Sequence, residues 1–127
     1  MRIFFPLVLL VLAACHREPE TILPVKAECR NPLAGCVIAP GISLRFSQRP
    51  SVMRAFDLEV AAPEATGIHA SFQMETMDMG MNRYRLLREN GRWRARVMLP
   101  ACVQGKRDWL LRLEVGRKVY EVPFVAE

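Results

Sequence analysis

In much of this chain apolar residues recur at every other position, and two short glycine-containing turns reverse the pattern, which leaves few folds open to it. The clearest instance is the stretch from Asn82 to Leu99, NRYRLLRENGRWRARVML. Asn90-Gly91 suits a type I′ turn because both residues tolerate positive φ. A hairpin centred there sets Glu89 opposite Arg92, Leu86 opposite Ala95 and Tyr84 opposite Val97. One side is then apolar, with Trp93 beside Arg88, and the other carries Arg83, Arg85, Leu87, Arg94, Arg96 and Met98. The same logic applied to DWLLRLEVGRKVYEVPF puts a turn at Gly116-Arg117 and pairs Leu113 with Tyr120, Leu111 with Val122 and Trp109 with Phe124. Arg112 then faces Glu121, a pair worth at most about 1 kcal/mol. Pro123 has no N–H to donate, so the last strand is expected to lie at an edge or to pair on only one side there.

Earlier in the chain Ile42, Leu44 and Phe46 alternate, as do Phe56, Leu58 and Val60, and then Ile68, Ala70, Phe72 and Met74. Turn chemistry separates them at Pro40-Gly41, Arg49-Pro50-Ser51 and Pro63 to Gly67. No window from Cys36 onward holds apolar residues at helical spacing over three turns. With 127 residues, 51% of them hydrophobic, the chain has material for one domain and one core. Three strands and two hairpins give an all-β fold, an immunoglobulin-like β-sandwich of about seven strands. A small barrel has the same periodicity and stays open as an alternative.

The N-terminus carries a different message. After Arg2, the run from Ile3 to Ala14 holds no charge, and its twelve residues reach roughly 18 Å as a helix against a hydrocarbon core of roughly 30 Å. It reads as a secretory signal and not a span. Leu12-Ala13-Ala14-Cys15 resembles the lipobox of bacterial lipoprotein precursors, and that resemblance implies cleavage before Cys15 and acylation of its thiol. His16 stands where inner-membrane lipoproteins carry an Asp, which points to the outer membrane. The expected organisation is a signal peptide over 1–14, a lipidated N-terminus and flexible stalk over 15–27, and a sandwich domain over 28–127. Cleavage removes Arg2 and no acid, so the net charge of +5 falls by one.

Export permits disulfides, and with Cys15 acylated three thiols remain: Cys29, Cys36 and Cys102. Cys29 to Cys36, CRNPLAGC, closes a small loop with Pro32 and Gly35 supplying the turn. Cys36 with Cys102 is the rival pairing, and spacing does not choose between them. The thiol left over is a small buried hydrophobe or a soft metal ligand.

FQMETMDMGMNRY concentrates Met74, Met77, Met79 and Met81 within eight residues. Thioethers are soft, neutral and bind without losing a proton, so such a cluster suits Cu(I), with His69 or Cys102 as completing ligands. Methionine also fills irregular gaps in sandwich cores and forms adaptable contact surfaces, so packing or partner contact competes with the metal reading.

Between Ile68 and Val115 the chain resembles the YtkA-like and FixH-like group of exported β-sandwich domains. The resemblance rests on Met77-Asp78-Met79-Gly80-Met81, Gly91-Arg92-Trp93, Leu99-Pro100 and Gly105 to Trp109. It implies copper handling or a part in cytochrome oxidase assembly. The chain departs from the group in two ways: Asn82 stands where a His commonly sits beside the Met-Gly turn, and a lipid replaces the spanning helix of the FixH-like members.

Arg83, Arg85, Arg94 and Arg96 share one face of the first hairpin in this register, with Arg85 opposite Arg96. Like charges so placed call for neighbouring carboxylates or an anionic partner, such as lipid headgroups, a cell-wall polymer or an acidic protein. Nucleic acid does not fit the compartment. There is no Gly-rich phosphate loop and no His-Glu-x-x-His, and His16 and His69 are the only imidazoles. The sequence therefore reads as a non-enzyme: a membrane-anchored periplasmic lipoprotein holding Cu(I) for a copper-accepting partner, or an envelope structural or interaction module without metal.

Overall fold

The computed structural model describes residues 22–74, 82–101 and 107–127. Among them are ten strands: β1 (Val25–Lys26), β2 (Cys36–Ala39), β3 (Ile42–Phe46), β4 (Phe56–Ala61), β5 (Ile68–Met74), β6 (Arg83–Arg85), β7 (Leu87–Glu89), β8 (Arg92–Val97), β9 (Asp108–Val115) and β10 (Lys118–Val125). They form two five-stranded sheets, ordered β1-β10-β9-β5-β6 and β2-β3-β4-β8-β7. Neighbours are antiparallel except β1, which lies parallel to β10.

The period-two sequence sets the layers. In β4, Phe56, Leu58 and Val60 are buried while Asp57 and Glu59 point out; in β5, Ile68, Ala70, Phe72 and Met74 turn inward. The two inner faces meet in one core, where Phe46 lies edge-on to Phe124 at 5.2 Å and Phe56 to Phe72 at 6.2 Å. The fold is all-β, with two sheets packed face to face in the manner of a sandwich.

The second hairpin has the expected register throughout, with Tyr120 opposite Leu113, Val122 opposite Leu111 and Phe124 opposite Trp109. Arg112 faces Glu121 along the backbone, yet the ion pairs among the described residues do not include this one. Beyond Glu121, β10 has lost β1 from its other side, so Pro123 sits where no second ladder asks for its N–H.

The first hairpin holds only near its turn. Asn90 and Gly91 take φ of 51° and 75°, and Glu89, Arg88 and Leu87 face Arg92, Trp93 and Arg94. At Leu86 the chain changes sheets: its N–H donates to the Ile68 carbonyl at 3.0 Å, and β6 pairs with β5, setting Arg85 beside His69 and Arg83 beside Ser71. The expected pairs of Leu86 with Ala95 and of Tyr84 with Val97 are therefore not made. On the other edge of β8, Ala95 and Val97 face Leu58 and Phe56 of β4. One run of chain thus covers an open edge of each sheet, a better use of its backbone than a longer ladder on β8 alone. The seam is closed by Tyr84, whose hydroxyl donates to the Met98 carbonyl at 3.1 Å and accepts from the Met98 N–H at 3.2 Å.

Two further strands went unanticipated. β2 is a short edge element with a bulge between Val37 and Ala39, and β1 draws Val25 and Lys26 of the expected stalk into the sheet. Cys29 and Cys36 form a disulfide, Cα to Cα 5.5 Å, which selects the local pairing over Cys36 with Cys102. The loop inside it donates Gly35 N–H to Asn31 and accepts Phe46 N–H on Pro32, tying β2 to β3.

Candidate functional site

The strands define two ends of the sandwich. At one end, Ile68 faces Val115, Gly116 donates to Gly67, and the turns at Pro40-Gly41 and Pro63 lie alongside. At the other, Met74 faces Trp109, the Met53 N–H donates to Leu99, Glu127 donates to Pro50, and Ala126 donates to Arg107. Met77, Met79, Met81 and Cys102 lie outside the described residues, as does Cys15. The residues that flank them do not. Met74 and Asn82 bracket the methionine segment, and Ala101 and Arg107 bracket the segment holding Cys102. These flanks gather toward the second end: Phe72 N–H bonds the Asn82 carbonyl at 3.2 Å, and the Tyr84 hydroxyl grips Met98.

His69 and Met74 are not brought together. Met74 is 2% exposed, inside the core against Trp109, whereas His69 is half-buried on the outer face of the same strand between Arg85 and Glu114. They are five positions apart along the strand, roughly 16 Å, on opposite faces. One ion cannot take both. His69 also sits toward the end away from the flanks just described. Among the described residues no three His, Cys, Asp or Glu side chains converge as a metal-holding group.

The four arginines do not form one patch. The change of sheet at Leu86 puts Arg83 and Arg85 on the outer face of one sheet and Arg94 and Arg96 on the outer face of the other. Arg85 and Arg96 are therefore not opposed. Arg83 reaches across β5 to Glu114 at 2.7 Å. On the other sheet Arg45, Glu59 and Arg94 are register partners in three adjacent strands, and the Glu59 carboxylate accepts from Arg45 at 2.6 Å and from Arg94 at 2.7 Å. Arg92 stands 3.8 Å from the same carboxylate, and Arg96 lies 3.5 Å from Asp57. Glu59 and Asp57 supply countercharge to the arginines on this face. Period-two reading finds these side chains but not the cluster, because Glu59 meets Arg94 only through the distant pairing of β4 with β8.

The hydrogen bonds from Arg45 and then Arg94 hold the Glu59 carboxyl below its ordinary value. A carboxylate with a depressed folded-state pKa adds stability that is fully present above its unfolded value near 4.3 and is lost as pH falls through the folded value. Glu59→Gln should lower unfolding stability by roughly 1–2 kcal/mol at neutral pH, since the side chain is only 12% exposed and serves several donors. The difference from the wild type should shrink as acid protonates Glu59, so a gap that stays constant in urea titrations down to pH 3 would contradict the assignment. Comparison with protein-family models, curated proteins and solved structures finds no match to this chain.

Proposed function

We propose that this chain is a non-catalytic periplasmic lipoprotein, acylated on Cys15 and held at the outer membrane, that binds Cu(I) through Met77, Met79 and Met81 for delivery to a copper-accepting protein. In this reading residues 1–14 are a signal peptide, the domain has immunoglobulin-like topology, and Ile68 to Val115 is related to the YtkA-like and FixH-like group. The observation that carries the copper assignment is that the chain on both sides of each segment, at Met74 and Asn82 for the one and at Leu99 and Arg107 for the other, gathers toward one end of the sandwich. A thioether segment and a thiol segment that both start from that end can share one soft ion, whereas His69 and Met74 have other surroundings. Cys102 is the candidate fourth ligand.

Chelator-competition titration of Cu(I) tests this directly. Met77→Leu, Met79→Leu and Met81→Leu combined should abolish tight binding while leaving the far-ultraviolet spectrum unchanged. Cys102→Ser should weaken binding and flatten its pH dependence, because a thiolate must lose a proton to bind and a thioether has none to lose. Unchanged affinity in the triple variant would dismiss the metal site. Burial of Met74 among Trp109 and its neighbours favours the competing reading, an envelope interaction module that uses methionine for packing.

A further inference from the structure

Because β1 is parallel to β10, with Val25 beside Tyr120, the chain arrives at β1 from the side of the Gly116-Arg117 turn. That is the end of the sandwich opposite the flanks of the methionine segment. The arriving arm is apolar and uncovered: Leu23 is 80% exposed, Val25 50% and Ile22 44%. Together with Ile38, Pro40 and Arg117 the arm borders an open depression of about 370 Å³. Arg117 and Lys118 stand at the same place, and the ion pairs among the described residues use neither of them. Large apolar side chains beside cations that no described carboxylate pairs suit the boundary between acyl chains and anionic headgroups, where the first lose water and the second find countercharge.

The length of chain before Ile22 selects the bilayer over a protein partner. If Cys15 carries the lipid, six residues separate it from Ile22, which fully extended reach only about 20–25 Å. A tether so short, entering at this end, keeps the arm close to the headgroups. We infer that the end of the sandwich formed by Ile22 to Val25, Arg117 and Lys118 rests on an anionic lipid surface, so that the opposite end points into the aqueous compartment. The inference rests on the proposed acylation of Cys15. Strands β9 and β10, eight residues each, then stand between the bilayer and the methionine flanks and hold them roughly 25 Å away. A soluble acceptor would reach that end, and an acceptor buried in the same membrane would not.

The test uses the full acylated protein in nanodiscs of phosphatidylethanolamine doped with phosphatidylglycerol and a gadolinium-chelating headgroup. Amide signals at Val25, Lys26, Gly41, Gly67 and Gly116 to Lys118 should be lost to paramagnetic broadening, while those of Phe72, Val97 and Trp109 persist. Combining Leu23→Glu, Arg117→Glu and Lys118→Glu should abolish that polarity while the lipid remains attached. Equal broadening at both ends, or loss confined to the Trp109 end, in protein whose Cys15 is shown by mass spectrometry to be acylated would overturn the docking surface and leave the anchor standing. An unmodified Cys15 would overturn both.

Discussion

Replacing Phe72 with alanine is expected to cost about 3–5 kcal/mol of unfolding free energy, a large part of the roughly 5–15 kcal/mol available to a domain of this kind. The ring is 2% exposed and contacts Phe56 of the facing sheet at 6.2 Å, Tyr84 at 5.9 Å and Phe124 at 5.9 Å. Its removal leaves a cavity at the point where the sheets interlock, and it unseats Tyr84, whose hydroxyl holds the Met98 backbone across the seam. Urea unfolding should show a lower midpoint with little change in slope. Phe72→Leu refills most of the space and should lose less. A loss below about 1 kcal/mol for the alanine variant would mean that the ring is not the keystone the packing makes it.

Removing the disulfide, by Cys29→Ala with Cys36→Ala, should cost about 2–3 kcal/mol, the chain-entropy value for so short a closed loop. For a domain of about this size that is a fall in melting temperature on the order of 10 °C. Without the bond, β2 keeps its ladder to β3 on one side and pairs with no described strand on the other, so the loss should be concentrated at that edge. Hydrogen exchange in the variant should quicken at Val37 and Ser43 before it does at Leu111. Wild-type protein treated with reductant should shift by the same amount, and an unshifted melting curve would show that the loop is held by its hydrogen bonds alone.

What could be read along the chain and what could not divides by sequence separation. The Gly116-Arg117 hairpin was legible to the residue because its turn sets the register and every partner lies within a few positions of it. The three early strands were legible because alternation marks a buried face whichever strand it meets. The Asn90-Gly91 hairpin was legible only to Leu87, since parity is the same whether the chain stays on β8 or crosses to β5. Nothing local records that β5 has an open edge. β1 and β2 escaped for the same reason: two and four residues are too few to show a period, and each is a strand only because β10 or β3 offers it a partner. The arginine face fared worst. Its members were found, but an error of register in one strand moved two of them to the other side of the molecule.

Sequence alone determined that this chain is all-β, which residues face its core and how both turns reverse it, because side-chain alternation and turn conformation are properties of neighbours. It also supplied the candidate soft ligands and the expectation of a lipid at Cys15. Only the tertiary structure decided that one run of chain divides between two sheets at Leu86 and that Glu59 bridges Arg45 and Arg94 across three strands. The same assembly sets the arm at one end and the flanks of the methionine segment at the other. Those are outcomes of competition among distant strands for hydrogen bonds and buried area, and the winner depends on the whole assembly.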